Sequence, residues 1–292
     1  YINTGDYHLG TLSNIEAVKV DSIYATTCHA QGAYPLSYYP HNYHFLVATA
    51  TLEGNAALAW DAARRLQYHT SEEIMRMPGW GTLQHYYTIP FYTAVKLSLW
   101  DTVLSLPAPP GDLVYPQAIW HYAKGMAYLG KHDLPNAKKE MDSVKVLAAD
   151  TTLKDLTVWS INTTADLAQI ASKVLSAGIA FQEKKTDESI ALLKEAVALE
   201  DKLNYNEPPD WFFSVRHHLG ALLLKAGKYN EAEKVFNQDL RVWKKNGWAL
   251  IGLYNALNLQ AKKREAQKVH AAFVESWKYA DRKITTSSSI VD

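Results

Sequence analysis

A single cysteine, Cys28, stands among 292 residues. That excludes an internal disulfide framework and any zinc site built on several thiolates, and it favours a reducing, cytoplasmic setting over an oxidising one. Neither sign of charge is in excess: 30 basic and 30 acidic residues cancel, so nothing marks the chain for nucleic acid, acidic lipid or a strongly charged substrate. No apolar run approaches the roughly eighteen residues of a membrane-spanning helix, and membrane insertion is not expected. The N-terminal YINTGDYHLG has neither the basic nor the apolar region of a leader. The chain does not start with Met, so an upstream part carrying a signal or another domain is expected. Motifs that announce a reaction are also missing: there is no G-x-G-x-x-G, P-loop, G-x-S-x-G elbow or H-E-x-x-H.

What is present is a repeating texture of amphipathic helices. The composition is 48% hydrophobic, enough to bury a large core. In VRHHLGALLLKAGKYNEAEKVF, Gly220 is followed by Ala232 and Phe236, and a shift of 34 residues places Tyr254, Ala266 and His270 in the same slots. Gly125, Ala137 and Met141 keep those offsets, and Gly178, Ser189, Leu193 and Ala196 do so with one residue dropped at the turn. Val47, Ala59 and Ala63, then Phe91 and Val103, mark two looser copies. The physical reason for small residues at a fixed interval is a close crossing of two helices, with larger apolar groups filling the gap to the next pair. Breakers divide the copies: RMPGWGT (76–82), SLPAPPGD (105–112) and NEPPDW (206–211).

This pattern, sharpest in LGALLLKAGKYNEAEKVF, resembles the tetratricopeptide repeat (TPR) family. The resemblance covers residues 40–276 and is loosest around 145–170. It implies an all-α, right-handed superhelical solenoid of about six hairpins. Residues 1–39 are then an N-terminal cap or half-repeat, and 277–292 a tail whose KITTSSSIVD composition is that of a disordered end. It also implies that the first helix of each hairpin lines a concave groove through its second, fifth, ninth and twelfth positions. By that register His41, His44 and His85 face the groove, together with Thr51, Thr88, Tyr92, Ile119, Tyr122, Ser214, His217, Trp248 and Asn255. The implied function is a scaffold holding a peptide or protein partner in an aromatic, histidine-bearing groove.

Two constellations are candidates for the binding chemistry. In YPHNYHFL, Pro40 suits the first turn of a helix, and His41 and His44, three apart, share one face. With His85 from the neighbouring hairpin they offer three imidazoles to a divalent metal or a hydrogen-bonding ligand, so a metal-binding protein or enzyme is the alternative function. Taken alone, each is better explained as a packing histidine bonded to a neighbouring carbonyl or Tyr. The second stretch is YNEPPDWFFSVRHHLG, where Glu207, Asp210, Trp211, Arg216 and His217 form a polar and aromatic wall, with Arg216 free to fork onto a carboxylate ligand. Its plainer reading is a proline turn with Asp210 as a helix cap. Cys28 and His29 are adjacent, which disfavours a nucleophile–base pair because their side chains diverge.

Overall fold

The computed structural model describes residues 1–28 and 39–290. The described residues are almost entirely helical, with one two-stranded β-hairpin. Helix α1 (Tyr7–Thr27) precedes six helical pairs. These are α2 (Tyr39–Glu53) with α3 (Ala56–Tyr68), α5 (Gly81–Lys96) with α6 (Trp100–Ser105), and α7 (Val114–Gly130) with α8 (Leu134–Ala148). After them come α9 (Thr164–Gln182) with α10 (Thr186–Glu200), α11 (Arg216–Lys225) with α12 (Tyr229–Val242), and α13 (Gly247–Leu259) with α14 (Lys263–Ser276). A short α4 (Glu72–Met75) sits between the first two pairs. The segment where the repeat pattern is loosest holds an insertion, a 3-10 turn (Thr151–Lys154) followed by β1 (Thr157–Val158) and β2 (Asn162–Thr163), paired antiparallel.

One turn geometry recurs in all six pairs. Each first helix ends on a residue with positive φ: Gly54, Ser98, His132, Lys184, Gly227 and Ala261. The N–H that follows reaches back five residues to close the helix end: Asn55 to Ala50 O at 2.9 Å, Leu99 to Ala94 O at 2.9 Å, Asp133 to Tyr128 O at 2.8 Å. Lys185 does the same to Ala180 O at 2.9 Å, Lys228 to Leu223 O at 2.9 Å and Lys262 to Leu257 O at 3.0 Å. This is the Schellman termination, in which a left-handed residue lets the chain reverse while satisfying orphan carbonyls. In five pairs the left-handed residue lies seven after the small-residue slot read from the sequence (47 to 54, 91 to 98, 125 to 132, 220 to 227, 254 to 261). In the fourth it lies six after, 178 to 184, which is the dropped residue. The expected hairpin register is therefore the observed one.

The crossings are tight where the sequence is small. Gly125 faces Leu175, and a Cβ there would come within 2.6 Å of it; Gly178 faces Leu129 on the reciprocal side. Gly220 and Gly252 press on Phe236 from two helices. The smallness that Tyr254 lacks in the last pair is thus supplied by Gly252.

Successive pairs pack side by side, and the last also meets the first. Helix α13 contacts α2, Trp248 Nε1 donates to Thr51 O at 3.2 Å, and Tyr7 Oη donates to Lys244 O at 2.7 Å. Asp281 accepts from Ala56 N and Ala57 N at 2.7 and 2.8 Å, placing a carboxylate on the positive end of α3. Two irregular segments lie against the inner helices. Residues 201–215, between α10 and α11, carry Trp211 and Phe212 into the core. The second segment is the tail, which the composition placed outside the fold. Ser287, Ser288 and Ile290 are buried, Asn255 Nδ2 donates to Thr285 O at 2.8 Å, and Ser287 Oγ donates to His217 O at 2.8 Å. Short hydroxyl side chains fit this role because they bond to backbone and side-chain groups at close range.

Candidate functional site

The inner faces of α2, α5 and α7 bring most of the expected groove residues together, and cover them. His41 lies in the first turn of α2, its Nδ1 3.4 Å from Tyr86 Oη and its ring against Phe45 and Trp159. One turn on, His44 is buried, stacked on Phe212 at 5.4 Å and edge-on to His85 at 5.6 Å. Neither of its ring nitrogens makes a hydrogen bond to protein. His85 is wholly buried, with Nδ1 2.9 Å from Tyr115 Oη, which in turn lies 3.4 Å from Tyr92 Oη. Trp211 closes the cluster against Tyr92 and Tyr122, with ring centroids 5.3 and 5.8 Å apart.

Burial fixes the electrostatics of this half. It pushes His85 down to about 3, His44 well below the ordinary imidazole range and His41 down in the same direction. The Tyr92, Tyr115 and Tyr122 hydroxyls are driven upward. All are neutral near pH 7, so this is a dry aromatic interior with no proton to exchange. The expected three-histidine metal centre is not assembled: among the described residues no group of three or more His, Cys, Asp or Glu side chains is placed to hold a metal ion. His41 and His85 turn Nδ1 to tyrosine hydroxyls, and Phe212 stacks on the ring of His44. Cys28 is exposed at the end of α1, and His29 lies outside the described residues.

The second constellation is split. Glu207, Asp210, Trp211 and Arg216 line one cavity of about 280 Å³, as a wall of that composition requires. Arg216, however, forks onto Asp201, with Nη1–Oδ1 at 2.8 Å and Nη2–Oδ2 at 2.6 Å, so its bidentate face is used inside the protein. Asp210 caps no helix, since α11 starts at Arg216; it accepts from Asn162 and Asn206 at 2.7 and 2.8 Å and ties the long loop to the β-hairpin. Burial lifts its carboxyl to about 6 and that of Glu200, on the same cavity, to about 8.

His217 belongs to a different group, one that the sequence did not disclose. Lys96, the last residue of α5, places Nζ 2.8 Å from His217 Nδ1 across the interior. His217 Nε2 lies 3.2 Å from Asp239 Oδ2, and Asn246, capping α13, brings Nδ2 to 3.3 Å from the same oxygen. Asn246 Nδ2 also lies 3.1 Å from His217 Nε2. A carboxylate only accepts, so in the tautomer that serves Asp239 the ring donates Nε2–H to it, the Asn246 amide donates to the carboxylate, and Nδ1 faces the lysine. The ammonium also sits 4.0 Å from the Trp248 ring centroid. Desolvation holds the Lys96 amine well below the ordinary lysine range, and His217 is lowered by burial and by the lysine beside it. Asp239, buried at 1% exposure, stays ionised through His217. The only hint in the sequence was a lysine closing the apolar run FYTAVKLSLW and an aspartate three residues after Phe236.

No protein-family model matches the chain, and none of the curated protein sequences compared with it matches either. No helix among the described residues is long and apolar enough to cross a membrane.

Proposed function

We propose that the chain is a TPR-like helical repeat scaffold that binds an extended peptide or protein segment along the inner faces of its C-terminal hairpins. One observation carries the reading: the chain's own residues 282–290 lie without regular structure across inner helices from α5 to α13, held through backbone carbonyls and serine hydroxyls. Asn255, an expected groove residue, donates to Thr285 O at 2.8 Å. Lys96 Nζ donates to Ser287 O at 3.4 Å, and His218 Nδ1 and Ser98 Oγ meet the hydroxyls of Ser288 and Ser289 at 2.6 and 2.7 Å. Ile290 is buried beside Leu129 and Gly178. An asparagine on backbone groups and a pocket for one apolar side chain are the elements of sequence-tolerant peptide recognition. A segment of this chain is thus a ready surrogate for the partner.

The test removes the surrogate. A chain ending at Arg282 is titrated with a fluorescent peptide of residues 283–290, beside the full chain. The shortened chain is expected to bind and the full chain not to, with Asn255→Ala weakening the peptide about tenfold, the worth of one good hydrogen bond. A shortened chain that stays folded and takes up no peptide overturns the reading.

A further inference from the structure

Beside the tail lies a cavity of about 290 Å³ onto which Lys96 opens. Its ionisable lining among the described residues is Lys96, His132, His218, Arg282 and Lys283, with no carboxylate among them. Arg282 spends Nη1 on Leu97 O at 2.7 Å, while its Nε makes no hydrogen bond to protein. Ser98, Ser288 and Ser289 add hydroxyls to the same wall. The wall is therefore cationic and rich in donors, the complement of an anion. Behind Lys96 stands the His217–Asp239 pair already described, the arrangement in which a base, itself oriented by a carboxylate, serves a nucleophile. The peptide-binding reading uses Lys96 only as a 3.4 Å donor to Ser287 O, and asks for neither the His217–Asp239 pair nor an anion seat.

We propose that Lys96 is a nucleophilic amine that forms an imine with a small aldehyde or ketone carrying a phosphate or carboxylate group, the anion resting on Arg282 and Lys283. The Lys96 nitrogen lone pair attacks the carbonyl carbon while its N–H proton passes to His217 Nδ1. The imidazolium so formed faces Asp239. The imidazolium returns that proton to the carbinolamine oxygen, and the second N–H proton follows by way of His217, so that water leaves as the nitrogen lone pair closes the C=N bond. Amine and carbonyl give imine and water, and no oxidant, reductant or further reactant is consumed. Asp239 and Asn246 act as positioning residues, fixing the ring so that Nδ1 faces the amine.

The test uses the full chain with pyridoxal 5′-phosphate as a probe that carries both aldehyde and phosphate. Borohydride reduces any imine to a stable amine, and peptide mass spectrometry locates it. Labelling is expected to concentrate on Lys96, to fall at least about tenfold with pyridoxal, which lacks the phosphate, and to vanish from this position in Lys96→Arg. His217→Ala is expected to slow labelling of Lys96 by about 100-fold, in the range for loss of one general base. Arg282→Gln, which leaves the triad intact, serves if the histidine variant fails to fold: it should erase the preference for the phosphate-bearing probe. Label spread over exposed lysines with Lys96 unmodified, or equal labelling of Lys96 by both probes, overturns the proposal.

Discussion

The two halves of the interior share helix α5, yet they hold opposite chemistry. Around α2, α5 and α7 the inward residues are His44, His85, Tyr92 and Tyr122, neutral and packed ring to ring behind Trp211 and Phe212. Where the end of α5 meets α11 and α12, the inward residues are Lys96, His217 and Asp239, joined by hydrogen bonds and bordering open cavities. A repeat fixes where a side chain points but not what surrounds it. The difference comes from the filler: residues 211–213 seal the first half with aromatic rings, whereas the tail lines the second half with hydroxyls and backbone carbonyls.

The aromatic half should respond to loss of volume. Trp211→Ala removes the ring that bridges Tyr92 and Tyr122, and is expected to cost about 4 kcal/mol, within the range for a buried Trp. In an Asp210→Asn background, which removes the neighbouring carboxyl at about 6, urea unfolding at pH 5 and pH 8 should return the same penalty at both, because the rings of this cluster do not titrate between them. A penalty that changed strongly with pH would break the contrast between the halves.

The ionisable half should respond to loss of charge. Asp239→Ala leaves His217 and Lys96 facing each other with no carboxylate, and is expected to cost about 3 kcal/mol, since a buried network loses its anchor. Asp239→Asn keeps the shape and an acceptor oxygen, and should recover part of that loss. Chemical denaturation of both variants checks the ranking; an Asp239→Asn variant as stable as the parent would mean that the site works by shape alone.

A smaller effect of opposite sign is expected at Glu200. Burial holds its carboxyl at about 8, although the backbone N–H of Val215 donates to it at 3.0 Å. The unfolded chain releases the same proton near pH ~4.3. Between those values the folded state binds more protons than the unfolded one, so this group's contribution to stability falls as the pH rises through the window. Glu200→Gln removes the titration while keeping an acceptor. It should raise stability by about 2 kcal/mol at pH 8 and leave it unchanged at pH 4, as read from melting curves at the two pH values.

Much of the architecture was legible in the sequence because it rests on local rules. Small residues at helix crossings and a turn at a constant offset placed all six hairpins, including the shortened turn after Gly178. The site was less legible because burial is set by segments that do not repeat. His41, His44 and His85 read as groove residues, but nothing in YPHNYHFL reveals that Phe212, more than 160 residues later, stacks on His44. Arg216 was recognised as a forked donor, and its partner Asp201 lay unremarked at the end of the previous hairpin. Lys96 and Asp239 are single charged residues on amphipathic helices, where a solvated position is the ordinary expectation. Only contact across the interior distinguishes them. The serine-rich tail read as disordered because its order depends on partners that local composition does not contain.

The sharpest form of the contrast is a pair of histidines one helix apart. His85 uses Nδ1 on Tyr115, whereas His44 makes no hydrogen bond to protein from either nitrogen and stacks on Phe212. His85→Phe therefore leaves the buried Tyr115 hydroxyl with the longer contact to Tyr92 and should cost about 1–2 kcal/mol. His44→Phe exchanges one flat ring for another while deleting two unpartnered polar atoms, so the penalty for the slightly larger ring is offset by relief of desolvation. It should lie within about 1 kcal/mol of the parent. Urea titrations of the two variants side by side decide the matter. If His44→Phe proves the costlier, by about 3 kcal/mol, those nitrogens are engaged in solution, and the N-terminal half of the interior is a binding site rather than packing.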